Sequence, residues 1–254
     1  MIFAILAGIV MGLVLGALGG GGSILAVPAL VYLLHQSAHT ATTESLVVVG
    51  TTALVATLGH HRRGNVRWGQ GLLFGVLGAA GTWAGSQLSQ HISQRLLLES
   101  FSLLLLVVAV MMWRKTTSRG SRGGAGVPVA WTPRRVVRLL ITASAFGLLV
   151  GFFGVGGGFA AVPALVLALD TPMPVAVGTS LLVIAVNSVT ALASRLGGGA
   201  TMHWDVVLPF TISAAIASLV GGHVASRLPL RTLTRSFAVL LVLVAVYMMV
   251  TSLA

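Results

Sequence analysis

The sequence predicts an all-α fold: a polytopic transmembrane helical bundle built from two homologous halves, with paired glycine-broken segments. Three observations predict it. First, 56% of the 254 residues are hydrophobic and only 7% are charged, with a mean hydropathy of +1.02. Soluble domains carry about 25% charged residues, so this composition cannot cover a water-facing surface. Second, apolar segments close to the roughly 20 residues that a bilayer requires recur along the chain. Third, an unusual phrase occurs twice. Residues 16–30 read GALGGGGSILAVPAL and residues 151–165 read GFFGVGGGFAAVPAL, at an offset of 135 from Pro28 to Pro163.

The apolar segments fall near 2–19, 42–60, 69–90, 97–113, 138–153, 176–194, 205–225 and 233–252. Two shorter apolar runs, 24–34 and 159–169, follow the glycine breaks. The repeat continues beyond the glycines. Ser45-Leu46 matches Ser180-Leu181 at the same offset. Trp68 matches Trp204, Gly85 matches Gly221, and Ser100-Phe101 matches Ser236-Phe237 at an offset of 136, so one residue is inserted between. The chain therefore divides into a first transmembrane repeat (1–113), a basic cytoplasmic linker (114–138) and a second transmembrane repeat (139–254). The duplicated unit, about 110–115 residues, is far longer than a solenoid repeat.

The net charge of +11 is distributed between the apolar segments, and only one of the 15 basic residues is a lysine. That pattern fits loops facing anionic lipid, not a nucleic-acid surface. Arginine also orients the chain. Arg114, Lys115, Arg119, Arg122, Arg134, Arg135 and Arg138 make the linker cytoplasmic by the positive-inside rule. Arg62, Arg63 and Arg67 form a second basic cluster, and Arg227, Arg231 and Arg235 a third. Two topologies compete. If each broken segment crosses the membrane, four spans plus four make a parallel repeat and the third cluster lies outside. If each broken segment dips in and returns, three crossings per half make an inverted repeat. All three clusters then become cytoplasmic, with both termini outside. The charge distribution favours the second.

The glycine breaks are the first candidate site. Proline is favoured at the first helical position, so Pro28 and Pro163 are expected to start short helices. Gly19, Gly21, Gly22 and Ser23, with Gly154, Gly156, Gly157 and Gly158, are then expected to be unwound. Irregular backbone at membrane depth persists only where it is buried in protein or lines a wet cavity. Paired breaks in two halves point to a substrate site, and free N–H groups at helix N-termini suit an anion. Close helix packing through small residues is the alternative.

The second constellation follows each break. TESLVVVGTTA (43–53) carries Glu44 and Ser45; GTSLLVIAVNS (178–188) carries Thr179, Ser180 and Asn187. The hydroxyls either cap helix starts or bond substrate oxygens. Asn187 either binds substrate or joins helices. Glu44 is one of four acids, one turn into an apolar segment. Intramembrane acids mark proton and ion pathways, which makes Glu44 the candidate for ion coupling; a solvated glutamate at a helix start is the plainer alternative. The seven histidines are scattered without metal-ligand spacing, and no cysteine is present, so neither a metal nor another cofactor is expected. GVGGGF lacks the dinucleotide-binding spacing, and no Walker lysine is present. No serine–histidine–acid set stands out, so the chain does not read as an enzyme.

GVGGGFAAVPALVLALDTPMPVAVGTSLLVIAVNS (154–188), with its degenerate copy at 19–53, resembles the sulfite exporter TauE/SafE family of membrane permeases. The resemblance covers essentially the whole chain. It implies a secondary transporter of the inner membrane for a small sulfur-containing or carboxylated anion, such as sulfite or a sulfonate. It carries over onto Gly19, Gly21, Gly22, Gly154, Gly156, Gly157, Pro28, Pro163 and the Thr179-Ser180 pair. The first half departs from the pattern at Glu44. The expected mechanism is alternating access at a site between the repeats. An anion channel, or a non-transporting subunit that docks a partner through the basic linker, would share the same composition.

Overall fold

The computed structural model describes residues 2–89, 94–117, 133–153, 158–195 and 202–253. Their regular elements are all helical. Helix α1 (Ile2–Leu18) ends in a single 3₁₀ turn over Gly19–Gly22, followed by α2 (Ser23–Pro28) and a π-helical turn over Ala29–Leu33. Helices α3 (Ala38–His61), α4 (Trp68–Ser89) and α5 (Gln94–Thr117) complete the first half. The second half repeats the series: α6 (Pro133–Phe153), α7 (Gly158–Pro163) with a π turn over Ala164–Ala168, then α8 (Met173–Arg195), α9 (Trp204–Arg227) and α10 (Leu230–Leu253). Both ends of the stretch 114–138 are thus helical, since α5 runs to Thr117 and α6 begins at Pro133.

Among the described residues, five helical stretches are long and apolar enough to cross a bilayer: Ile2–Leu33, Thr40–His61, Met173–Ala193, Trp204–Arg227 and Leu230–Tyr247. Their outward faces carry large apolar side chains, among them Leu54, Leu58, Ile212, Ile216 and Leu243, each more than half exposed. Such a belt is stable only against lipid.

The first stretch does not run straight. Leu25, Pro28, Ala29, Tyr32 and Leu33 share one apolar groove with Phe3, Leu6, Ala7 and Val10, so the chain after the glycines returns along α1. The second half does the same. Arg138, in the second turn of α6, lies 3.7 Å from Asp170, just beyond the returning segment. Both hairpins close alike. His35 and Asp170 hold left-handed backbone (φ 53° and 50°), and the N–H groups of Gln36 and Thr171 reach back to the carbonyls of Leu30 and Leu165, each at 3.0 Å. This resembles a Schellman closure widened by the π turn.

Proline corrects one expectation. Pro28 and Pro163 end α2 and α7 instead of starting them. A proline lacks the N–H that would continue the ladder and crowds the carbonyl four residues back. The chain here accommodates it with a π turn directly after each proline.

The halves interlock. Helix α1 packs along α9, where Cβ atoms at Gly8, Gly12 and Gly16 would strike Phe210, Ala214 and Ser218. In the other half α6 packs along α4, with Gly147 against Gly78. Spacing small residues four apart lets two backbones approach closely. Helix α5 meets α10, and α3 meets α8. Each of these contacts joins one half to the other.

Candidate functional site

The two hairpin tips meet at the centre. All four glycines of the 3₁₀ turn are buried. Gly19 has φ +69°, a conformation that costs glycine little. A Cβ there would also come 2.6 Å from the Ser180 hydroxyl. A Cβ on Gly20 would overlap the Gly158 carbonyl, and one on Gly158 would overlap the Ser23 hydroxyl. Gly21 faces Leu240 and Phe237 of α10, and Gly22 lies on Leu15. The predicted Gly154, Gly156 and Gly157 lie outside the described residues. Helix α7 is anchored by Phe159, whose ring meets Phe101 of α5 edge-on at 5.0 Å.

The predicted hydroxyls are turned to local backbone. Ser23 Oγ donates to the Gly20 carbonyl at 2.7 Å. Ser45 Oγ donates to Thr42 at 2.9 Å, and its repeat partner Ser180 donates to Val177 at 2.8 Å. Each hydroxyl oxygen keeps lone pairs, and each proton can be redirected by rotation. Asn187 stands two turns beyond Ser180, beside Gly78 of α4. Its Oδ1 is buried without a partner among the described residues, as is the hydroxyl of Thr52, its equivalent in the first repeat. Asn187 does not touch the tips in the way Ser180 does.

Glu44 and Thr179 occupy equivalent positions and make equivalent bonds. Glu44 Oε1 accepts the backbone N–H of His203 at 2.8 Å and lies 3.2 Å from His203 Nδ1. Thr179 Oγ1 accepts the backbone N–H of Arg67 at 3.2 Å. Arg67 and His203 are themselves equivalent, each one residue before the tryptophan that opens α4 or α9. Each side chain thus ties down the start of a helix in the opposite half, as the glutamate of a capping box does within one helix. The plain reading of Glu44 as a solvated residue fails. Its side chain is fully buried, because Ser37, whose Oγ accepts the Thr40 N–H, caps the start of α3 and places Glu44 in its second turn. Its Oε2 has no partner among the described residues.

His203 escaped the sequence reading, although the repeat held the signal: Trp68 aligned with Trp204 places His203 opposite Arg67. His60 Nε2 lies 3.0 Å from the Gly16 carbonyl, three residues before the tip.

Interlocked helical halves with an apolar outer belt and broken segments meeting inside define a class: multi-pass membrane transporters. The chain belongs to the family described as Sulfite exporter TauE/SafE, whose model matches residues 4–248. A "Probable membrane transporter protein" of Xylella fastidiosa (strain Temecula1) is 32% identical over 97% of this chain and 94% of its own. The "Probable membrane transporter protein YunE" of Bacillus subtilis (strain 168) is 27% identical over 96% of each chain. The "Probable membrane transporter protein YdhB" of the same organism is 30% identical over 85% of each. No solved structure matches the chain. This is a family of transporters, not of enzymes.

Proposed function

We propose that this protein is a secondary transporter of a small sulfur-containing or organic anion, such as sulfite or a sulfonate, working by alternating access between inverted repeats. The observation that carries the reading is the meeting of the two tips, Gly19–Ser23 against Gly158, with Ser180 alongside. Substrate binds there through Gly19, Gly21, Gly22, Ser23, Ser45, Gly154, Gly156, Gly157, Gly158, Thr179 and Ser180, with Asn187 two turns further along α8. Backbone N–H groups and hydroxyls hold it without a full positive charge, so release costs little.

The inverted arrangement is supported by the returning hairpins, which leave three crossings per half. The end of α3, the end of α9 and the start of α10 then share one face with the end of α5. His60 and Arg63 flank Gly222, and Arg235 lies over Trp113 at the end of α5. That basic face is cytoplasmic under the positive-inside rule. Glu44, at the opposite end, is the ion-coupling residue. The division into repeats 1–113 and 139–254 about linker 114–138 belongs to the same reading.

The test is uptake of radiolabelled sulfite, sulfoacetate and simple carboxylates into proteoliposomes, with and without a pH gradient. Saturable uptake of one anion is expected, stimulated by the gradient. Unsaturable flux with single-channel currents would make the protein a channel. Absence of flux for every anion would count against transport and favour partner docking through the linker.

A further inference from the structure

We propose that His60 is a proton-operated switch: a proton on its Nδ1 favours opening of the basic end of the bundle, where α1, α3 and α9 meet. The proposal rests on the alternating-access reading above, which requires that end to open. Apart from Glu44, His60 is the one buried titratable side chain among the described residues, at 3% exposure. Its tautomer follows from its contact. The Gly16 carbonyl, 3.0 Å from Nε2, can only accept, so Nε2 carries the proton of the neutral ring. Nδ1 is then a bare lone pair, buried and without a partner among the described residues. Such a nitrogen is a base. Three glycines let the helices close around the ring. A Cβ on Gly222 of α9 would stand 3.0 Å from Nε2. A Cβ on Gly178 of α8 would stand 3.0 Å from the His60 Cβ, and one on Gly16 of α1 would overlap the Ser218 carbonyl of α9.

A second proton changes the balance. The ring becomes charged and gains an Nδ1–H for which the closed arrangement provides no acceptor. Buried donors left unsatisfied and buried charges left uncompensated are costly. The surrounding elements offer no negative charge to offset them. Helix α1 carries no acidic or basic side chain over Ile2–Leu18. Helix α8 carries only Arg195, at its far end. In α9, Asp205 lies in the first turn at the opposite end, while His223 and Arg227, beside and beyond Gly222, are exposed. On the α3 side, His61 and Arg62 are exposed, and His61 accepts the Trp68 Nε1–H at 3.0 Å. Arg67 ends the turn that follows, with its backbone N–H on Thr179. Arg63 is nearest: its Nη1 would lie 3.0 Å from the same Gly222 Cβ, and it repels a charged ring. The imidazolium is therefore stabilised by water, which reaches it when α9 moves off α3. Proton binding and opening are then linked, and each favours the other by the same factor. The bond to Gly16 survives in both forms and is stronger with a charged donor. Hairpin 1 thus stays on α3, and α9 is the wall that moves.

The chain has no cysteine, so a single Ser218→Cys, at a position 1% exposed on α9, reports the opening. The full-length protein is placed in proteoliposomes and labelled with a membrane-impermeant thiol reagent at about pH 6 and about pH 8, across the range in which histidine ordinarily changes charge. The reagent is applied from each side in turn. The side that labels fixes the orientation; the response to pH decides the proposal. Each rate is divided by that of the same protein carrying His60→Gln, which cancels the pH dependence of the thiolate itself. Glutamine keeps a donor for Gly16 and cannot titrate. The ratio is expected to rise at least about fivefold on acidification. A ratio independent of pH overturns the proposal. If His60→Gln fails to fold, magnetic resonance of isotope-labelled histidine rings decides, with the His60 signal identified by replacing the other histidines singly. A His60 protonation midpoint that coincides with the labelling midpoint supports the switch. Separate midpoints, or a ring still neutral at about pH 5, overturn it. Neither readout needs a transported anion, so failure of the switch is distinguishable from failure of sulfite uptake.

Discussion

Glu44 and Thr179 stand at the same place in two copies of one fold and do the same mechanical work. Each accepts a backbone N–H that opens a helix of the opposite half. The chemistry differs. Thr179 offers a neutral hydroxyl on the basic face. Glu44 offers a carboxylate at the other end, beside a histidine that is half exposed. The two halves therefore share the architecture of the latch and differ in its chemistry. One latch is built on a hydroxyl. The other is built on the carboxylate proposed above for ion coupling, beside a histidine that reaches solvent.

Breaking the charged latch should have the largest effect. Glu44→Ala leaves the His203 N–H without its acceptor and opens a buried gap. An unsatisfied buried group costs about 1–3 kcal/mol, so a lowered thermal transition and at least a tenfold loss of transport are expected. Transport within twofold of wild type would remove Glu44 from the mechanism. The sharper version is Glu44→Thr, which gives the first half the residue of the second. Folding and insertion should survive, while stimulation by a pH gradient disappears. Persistence of that stimulation would show that coupling lies elsewhere.

Gly19→Ala tests whether the tips matter in the same way as the latches. An alanine at φ +69° is strained by roughly 1 kcal/mol, and its Cβ would crowd Ser180. Transport should fall severalfold, with membrane insertion intact. A variant with normal flux would make the tips a packing device and leave the latches as the only moving parts.

The contrast between latches also shows what could be read from residues alone. The phrase GGGGSILAVP and its copy disclosed the breaks, and constant offsets disclosed the halves. Glycine's lack of a Cβ makes such places visible in one dimension. What proline does there was misread, because its preference for a helix start competes with its tolerance at a helix end beside a π turn. The solvated alternative for Glu44 fails for a similar reason. Its depth depends on Ser37 starting α3 two turns earlier, a capping choice that hydropathy does not record. The interlocking of α1 with α9 was written in Gly8, Gly12 and Gly16, but only the partner helix turns that stripe into a contact. The latches needed one more step: pairing each position with its repeat equivalent, and then with the opposite half.

The smallest expected effects separate the two halves most finely. Thr179→Val removes the acceptor for the Arg67 N–H and should lower stability by about 1 kcal/mol, with transport reduced about threefold; Thr179→Ser should restore both. His203→Gln keeps the backbone bond to Glu44 and removes only the ring. Flux at one fixed pH should then change less than twofold, while the pH profile of transport shifts. If Thr179→Val shifted that profile as much as His203→Gln, proton sensitivity would be a property of the whole bundle. If only His203→Gln shifts it, the two latches share a geometry, and the proton acts on the one built around a carboxylate.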